Sequence, residues 1–206
     1  MKRNTVVLGI TLAVLALFGW SGWANWEYRK QAAERRLAAM AQLMPVQAAG
    51  TIPDSPLVGK RLPDFTLEDL NGKKVTPAQY KGKALLVNFW ATWCGPCKLE
   101  TPWIVELRNQ YASQGFEVLG ISTDDIDRDD KPRFAEEKQE IAKFVQRMHM
   151  PYPVLIDGGS LSKPFGGLDV MPMSFYVDRN GNVISAQAGI TSKDEMEEKI
   201  KKALAR

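Results

Sequence analysis

The chain has 206 residues, of which 45% are hydrophobic and 25% charged, and this composition excludes a collagen, a long disordered chain and a disulfide-dense miniprotein. The net charge of +3 arises near the N-terminus, because residues 1–45 carry six basic against two acidic residues and the rest carries 21 against 22. A domain so close to neutrality lacks the basic face that binds phosphates, so we expect no nucleic acid partner. The two cysteines and the single histidine supply too few ligands for zinc or haem, and we expect no metal or other cofactor.

The N-terminal segment predicts a membrane anchor. Two basic residues precede an uncharged apolar run at residues 5–24, whose length is about that of a helix spanning a bilayer. Three tryptophans, a residue type that favours the headgroup level, lie near the end of the run. We therefore predict a transmembrane signal-anchor over residues 1–24. A cleaved signal peptide is the alternative, because Gly-Trp-Ala at residues 22–24 resembles a small-x-small cleavage site.

A helical stalk and a linker are predicted over residues 25–59. Residues 25–44 mix Ala, Leu and Met with Glu, Arg and Gln in a helical pattern that Pro45 ends. A helix that binds the membrane surface or a partner is the alternative for this stretch. Residues 45–59 hold three prolines and two glycines and are predicted to be a linker. The folded domain is therefore expected over residues 60–206, which is long enough for a hydrophobic core.

The first half of this domain predicts a hairpin followed by elements in the order βαβα. Dense apolar runs of strand length indicate buried strands, and periodic spacing of apolar residues indicates helices. The predicted elements are a hairpin at 65–75, a helical turn at 76–77, a strand at 84–90, a helix at 96–114, a strand at 116–122 and a helix ending near 150. Asn71-Gly72 supplies the hairpin turn, and Pro102 is expected to kink the first helix.

The second half predicts a short strand, a hairpin and a final helix. The short strand covers residues 154–156, and the hairpin strands at 173–177 and 183–188 flank an Asp-Arg-Asn-Gly turn. Ser192 and Glu195 form a capping box for a helix that runs to about residue 205. Together the two halves predict an α/β fold in which helices flank a mixed central β-sheet.

The two cysteines lie in Trp93-Cys94-Gly95-Pro96-Cys97, directly after a predicted strand and at the start of a predicted helix. The unpaired N–H groups and the positive end of the helix dipole stabilise a thiolate at Cys94. Cys97 follows on the same helix face within bridging range, so disulfide and dithiol forms can interconvert. Gly95 keeps side-chain bulk away from the sulfur, and Pro96 presets the φ angle of a first turn. A passive disulfide and half a zinc knuckle are the alternatives; the first would stabilise little across so short a loop, and the second lacks its other pair.

With this motif the domain resembles the thioredoxin superfamily and, within it, the TlpA/ResA-like membrane-anchored thiol-disulfide oxidoreductases. The resemblance runs from about residue 62 to the C-terminus and includes Pro63-Asp-Phe, Met171-Pro172 and Phe175-Tyr-Val-Asp-Arg-Asn-Gly. It implies a thioredoxin-like fold with an N-terminal hairpin extension and a central insertion over about residues 124–160. It also implies that Pro172 is a cis-proline facing the disulfide, so that the backbone of Met171 binds an extended substrate strand.

The resemblance also identifies a residue that handles the proton of the second cysteine. Where thioredoxin carries a buried aspartate, this chain has Asn88, which cannot accept a proton. Relatives often carry a glutamate three residues past the second cysteine, and Glu100 occupies that position here. A carboxylate half-buried beside the dithiol has a raised pKa and can accept the proton of Cys97. A solvated helix glutamate is the alternative. Among the nearby aromatics, we expect Trp93 at the rim of the site and Trp90 in the core.

Two metal sites are weighed and not favoured. Met148-His149-Met150 with Met171 and Met173 contains soft ligands for copper, but apolar contacts at a helix end and a methionine-lined substrate groove are the preferred interpretation. The aspartates at residues 124–130 lack the spacing of an EF-hand loop, so a solvated loop is preferred to a calcium site.

The resemblance implies a protein-disulfide reductase, in which Cys94 attacks a substrate disulfide and Cys97 resolves the mixed disulfide. The Gly-Pro pair between the cysteines resembles that of the reducing thioredoxins. Implied partners are disulfide-bearing envelope proteins, such as apocytochrome c or copper-site assembly proteins, and a membrane-embedded dithiol electron donor.

The catalytic domain is expected on the periplasmic side of the inner membrane, held by a single pass of the N-terminal helix. Charge alone favours the opposite orientation, because four basic residues follow the apolar run within residues 25–36 and two precede it. A long domain translocates largely regardless of such flanking charge. A thiol peroxidase of the same fold is one alternative function, although no arginine lies near Cys94 in the sequence. A non-catalytic envelope binding module is the other.

Overall fold

The computed structural model describes residues 20, 23, 25–28, 50–51 and 55–206. The described residues at 20–28 are helical, and the side chains of Trp20, Trp23 and Trp26 are exposed. Within the described part of the chain, no helix combines the length and the apolar character needed to cross a membrane. Most of the predicted signal-anchor and most of the predicted stalk lie outside the described residues. The folded domain belongs to the compact unit Gln47–Arg206.

The domain is an α/β fold. Its strands are β1 (Gly50–Thr51), β2 (Leu67–Asp69), β3 (Lys74–Val75), β4 (Ala84–Trp90), β5 (Phe116–Ser122), β6 (Val154–Ile156), β7 (Met173–Val177) and β8 (Val183–Ala188). Its helices are α1 (Gly95–Tyr111), α2 (Lys131–Arg147) and α3 (Lys193–Leu204), with short 3₁₀ helices at Pro77–Tyr80 and Ala112–Gln114. The order of strands and helices predicted from the apolar runs is therefore confirmed. Strand β1 was not predicted and comes from the stretch interpreted as a linker.

One mixed sheet forms the centre of the fold. Among the described residues its strand order is β1-β8-β7-β4-β5-β6-β2-β3. Strands β4, β5 and β6 run parallel, and the other neighbouring pairs are antiparallel. All seven residues of β4 are buried, as its dense apolar sequence predicts for a strand covered on both faces. The N-terminal hairpin of β2 and β3 joins the sheet through β6, a strand of the segment 124–160.

The three helices contribute their buried side chains to one face of the sheet. Leu86 and Trp90 of β4 belong to the core cluster that includes residues of α1, α2 and α3, whereas Phe89 belongs to the cluster on the opposite face. Both crossovers, β4-α1-β5 and β5-α2-β6, step across the sheet in the same direction. Right-handed crossovers then place both helices on the same side. The opposite face is covered in part by Phe165, whose ring centroid lies 4.8 Å from that of Phe89.

The alternation of side chains along β4 decides which of its residues face the helices. Asn88 falls between Leu86 and Trp90 on the face that carries the helices, because successive strand residues point to opposite faces. In the sheet, Asn88 is opposite Gly120 of β5 on one side and Ser174 of β7 on the other. Asn88 and Ser174 therefore form a polar pair in the middle of the sheet, on the face that carries the helices.

Candidate active site

The two cysteines form a disulfide at the start of α1. Their Cα atoms are 5.3 Å apart, and the sulfur of Cys94 accepts a hydrogen bond from the backbone N–H of Cys97 at 3.2 Å. Cys94 is the N-cap of the helix, and Pro96 lies in its first turn, where a missing N–H removes nothing from the helix. Cys94 is 4% exposed and Cys97 is 0% exposed. An incoming thiolate or disulfide therefore reaches Cys94 before Cys97.

The surface beside the disulfide is open and partly aromatic. Trp93 is 69% exposed, and a Cβ atom added to Gly95 would meet nothing within 4 Å. Trp90 is buried, and its ring stacks on that of Phe144 with 4.8 Å between the centroids. Trp90 therefore lies in the core, as predicted, and Trp93 is exposed next to Cys94; its role at the rim of a substrate site stays a prediction. The open space around Gly95 leaves the surface beside Cys94 uncovered by the described residues.

The loop between β4 and Cys94 is held by Asp124. The backbone N–H of Thr92 donates to the two carboxylate oxygens at 3.0 and 3.1 Å, and its hydroxyl group donates at 2.6 Å. The hydroxyl of Ser122 donates to the same carboxylate at 2.7 Å. Asp124 is buried, so the interpretation of this residue as part of a solvated loop is wrong. The signal in the sequence was its position just after β5, because parallel neighbours bring their carboxyl ends to the same edge of a sheet.

Glu100 is buried in α1, one turn after Cys97, and is 1% exposed. Its Oε1 atom accepts a hydrogen bond from Nδ2 of Asn88 at 2.8 Å, and the same nitrogen donates to the hydroxyl of Ser174 at 3.0 Å. Burial raises the pKa of Glu100 to about 8, and the hydrogen bond from Asn88 opposes this rise. The carboxyl group is therefore mainly protonated at neutral pH when the disulfide is formed. Glu100 is more deeply buried than the half-buried carboxylate expected from the sequence, and it is not a solvated helix residue.

The Met171–Pro172 peptide bond is cis, as the resemblance implied. The hydroxyl of Thr123, directly after β5, donates to the sulfur of Met171 at 3.1 Å, and its backbone N–H donates to the carbonyl of Trp90 at 2.9 Å. Met171 also packs against the core cluster that contains both cysteines. The end of β5 thus brings the segment before β7 to the same edge as the disulfide.

The methionines and the histidine considered for copper do not form one group. Met150 is buried in the core cluster on the helical face, with Met148 packed against it, and Met173 lies in the cluster on the opposite face. Met173 therefore belongs to the core and does not line a groove with Met171. In the part of the chain that the structure describes, no group of three His, Cys, Asp or Glu side chains is arranged to hold a metal ion.

Comparison with known proteins identifies relatives of this domain. The sequence profile of the Redoxin family matches residues 57–204. The thiol-disulfide oxidoreductase ResA of Bacillus thuringiensis subsp. konkukian (strain 97-27) is 36% identical over 146 residues, which cover 70% of this chain and 78% of that protein. The thioredoxin-like protein YneN of Bacillus subtilis (strain 168) is 30% identical over 142 residues, which cover 69% and 78%. A solved structure of a thiol:disulfide interchange protein of the thioredoxin family from Chlorobium tepidum TLS matches with a TM-score of 0.59 and 32% identity, over 70% of this chain and 95% of that one.

Proposed function

Because this chain belongs to the Redoxin family, as a ResA-like protein-disulfide oxidoreductase of the thioredoxin superfamily, we propose that it reduces disulfides of extracytoplasmic proteins. The observation that carries this proposal is the buried carboxyl of Glu100 one turn after Cys97. A resolving thiol without access to solvent needs an internal group that takes its proton. Asn88, on the strand before the site, holds that carboxyl but cannot itself accept a proton.

The reaction begins from the dithiol form. The Cys94 thiolate attacks one sulfur of the substrate disulfide, the substrate S–S bond breaks, and the released substrate thiolate takes a proton from solvent. A mixed disulfide now joins Cys94 to the substrate. Cys94 is the attacking residue because it caps the helix and is the more exposed cysteine of the pair.

The second step returns the protein to the disulfide form seen in the structure. In the fraction of molecules whose Glu100 is ionised, the Cys97 thiol gives its proton to the Glu100 carboxylate, and the sulfur of Cys97 attacks that of Cys94. The bond between Cys94 and the substrate breaks, the second substrate thiolate leaves, and two electrons have passed to the substrate. Glu100 ends the cycle protonated, which is the form that its burial favours.

Location and partners complete the proposal. The apolar run at residues 5–24 supports a single-pass anchor in the inner membrane, with the catalytic domain in the periplasm. Turnover requires that the Cys94–Cys97 disulfide be reduced again, and a membrane-embedded dithiol carrier is the proposed electron donor. The proposed substrates are envelope proteins with a reducible disulfide, such as apocytochrome c or copper-site assembly proteins.

Trapping the mixed disulfide tests the proposed function. In the full-length Cys97→Ser variant the second step is blocked, so envelope substrates should remain covalently attached to Cys94 and be identified by mass spectrometry. The double variant Cys94→Ser, Cys97→Ser is the matched control and should trap nothing. Absence of trapped envelope proteins would contradict the reductase. A non-catalytic binding module would retain its partner equally well in the double variant. Separately, protease accessibility of the domain in spheroplasts reports on which side of the membrane it lies.

Glu100→Gln tests the assigned proton acceptor. This variant should slow the resolution of a preformed mixed disulfide with a disulfide-bonded peptide, while the fold stays intact. The expected loss is about 10²-fold or more, the range typical of a missing general base. Unchanged resolution kinetics would remove Glu100 from the mechanism.

A further inference from the structure

Within the part of the chain that the structure describes, three buried polar side-chain atoms near the centre of the domain have no hydrogen-bond partner. They are Nε1 of Trp90 and the hydroxyl oxygens of Tyr152 and Tyr176. All three residues belong to the core cluster that contains both cysteines and lies on the face of the helices. Buried polar groups are nearly always paired in folded proteins, so each exception needs a reason. A cluster of three such donors beside a reactive centre indicates a role in the chemistry there.

The positions of these groups in the sheet place them around Asn88, the residue that holds Glu100. Tyr176 follows Ser174 by two residues on β7 and therefore shares its face, and Ser174 accepts a hydrogen bond from Asn88. Tyr152 precedes β6, on the other side of β4 in the strand order. The two hydroxyls thus belong to opposite sides of the strand that carries Asn88.

A glycine makes room for two of the donors. Gly120 of β5 is opposite Asn88 in the sheet. A Cβ atom at this position would lie 3.1 Å from Nε1 of Trp90 and 3.1 Å from Cε2 of Tyr152. Without a side chain at Gly120, the indole nitrogen and the tyrosine ring can lie over the strand next to the asparagine. The sheet is therefore shaped to admit these polar groups.

The hydroxyls lie within the electrostatic reach of Glu100. Burial raises the pKa of both Tyr152 and Tyr176, and the charge of Glu100 raises each of them further. Two charged groups of α3 face Tyr176: Glu195 also raises the pKa of Tyr176, and the ammonium of Lys199 lies 5.6 Å from the centroid of its ring. On α2, the guanidinium of Arg147 lies 5.9 Å from the ring centroid of Phe144, which stacks on Trp90. Both phenols therefore remain protonated throughout the neutral range, and each has an O–H group free to donate.

We propose that Tyr152 and Tyr176 are positioning residues for the proton transfer, because their buried hydroxyls supply the hydrogen bonds that the Glu100 carboxylate requires when it carries charge. A charged carboxylate can accept about four hydrogen bonds, and in the disulfide form its Oε1 atom accepts from Asn88. An ionised carboxylate in an apolar core is stable only when donors surround it. The proposal deepens the proposed function, since it concerns the state of Glu100 that accepts the proton of Cys97. In that step the S–H bond breaks, the carboxyl O–H bond forms, and the phenols keep their protons.

The test replaces each tyrosine by phenylalanine in the full-length protein. Tyr152→Phe and Tyr176→Phe each remove one donor and keep the ring. Tyr111→Phe is the matched control, because this tyrosine lies on the same helix as Glu100 but its hydroxyl bonds Glu197 at 2.5 Å. The readouts are the carbon-13 NMR titration of the Glu100 carboxyl in the disulfide form and the pH profile of mixed-disulfide resolution.

Each single variant should raise the titration midpoint of Glu100 by about one pH unit, the size expected for one hydrogen bond to a charged group. The ionised fraction at a given pH below the midpoint, and with it the resolution rate, should fall about tenfold. Tyr111→Phe should leave both readouts unchanged. An unmoved midpoint in the folded single variants overturns the proposal, and so does an equal shift in the control.

The NMR titration does not depend on turnover. A protein that failed to reduce disulfides but showed the shifted midpoints would contradict the proposed function alone. An active reductase with unmoved midpoints would contradict the tyrosine proposal alone.

Discussion

Replacing Glu100 by glutamine changes how the stability of the domain depends on pH. Glutamine keeps the shape of the side chain and the oxygen that accepts from Asn88 at 2.8 Å, but it does not titrate. The pKa of Glu100 is about 8 in the folded disulfide form, against its ordinary value of 4.5. Between these values the folded chain keeps a proton that the unfolded chain releases. The stability of the natural protein contributed by this site therefore falls as the pH rises from 4.5 to about 8.

The size of this effect follows from the gap between the two pKa values. At 1.36 kcal/mol for each pH unit, the gap from 4.5 to about 8 corresponds to about 5 kcal/mol. About 3 kcal/mol of this loss of stability has occurred by pH 7, and the rest occurs as the pH rises to the pKa of the folded carboxyl. The Glu100→Gln variant lacks this pH-dependent loss of stability, because glutamine does not titrate. The difference in the free energy of unfolding between the variant and the natural protein should therefore grow from pH 5 to about pH 8 and then level off.

Denaturant unfolding of the full-length disulfide form at several pH values measures this gain. The control is Glu106→Gln on the same helix, whose carboxylate is exposed and paired with Lys193. This substitution should change stability little at any pH, because exposed ion pairs contribute little. The reasoning would be refuted if the free energies of unfolding of Glu100→Gln and the natural protein differed by the same amount at every pH from 5 to 9. It would mean that Glu100 titrates at its ordinary pKa in the folded chain.

Three further substitutions test the packing and the surface of the site. Gly120→Ala should lower the free energy of unfolding by about 1–3 kcal/mol, because the added methyl group would lie 3.1 Å from the Trp90 indole nitrogen. The control is Gly95→Ala, which has open space around it, and an equal loss in both variants would contradict the close contact. Asp124→Ala should lower the free energy of unfolding by about 3 kcal/mol, because the donors of the loop before the disulfide lose their acceptor. A loss below ~0.5 kcal/mol would show that the loop does not depend on Asp124. Trp93→Ala should leave stability within ~0.5 kcal/mol and raise KM for a protein disulfide more than it lowers kcat, so an unchanged KM would exclude a role in substrate contact.

The reactive chemistry was predictable because it is local in the chain. Cys94 and Cys97 are three residues apart, and the strand before them and the helix after them are visible as an apolar run and a helical pattern. Capping of the helix by Cys94 follows from that order alone, and the structure shows it. Strand and helix order was predictable for the same reason, since each element depends on the periodicity of its own residues.

The surroundings of the disulfide were less predictable because they depend on which strands become neighbours. Asn88 and Ser174 are 86 residues apart in the chain, and Thr92 and Asp124 are 32 apart. No local pattern links such pairs. The two-residue strand β1 was missed because its pairing with β8 supplies the stabilisation that its own short sequence lacks.

By itself, the sequence determined the element order, the cysteine pair and the position of the glutamate after it. The tertiary structure alone decided that Glu100 is buried and that the loop before Cys94 is held by hydrogen bonds to Asp124. It also decided that Tyr152 and Tyr176 lie on opposite sides of the strand under the site. The physical reason is that redox reactivity begins with residues adjacent in the chain, whereas burial, and therefore the pKa of a carboxyl, depends on everything packed around it.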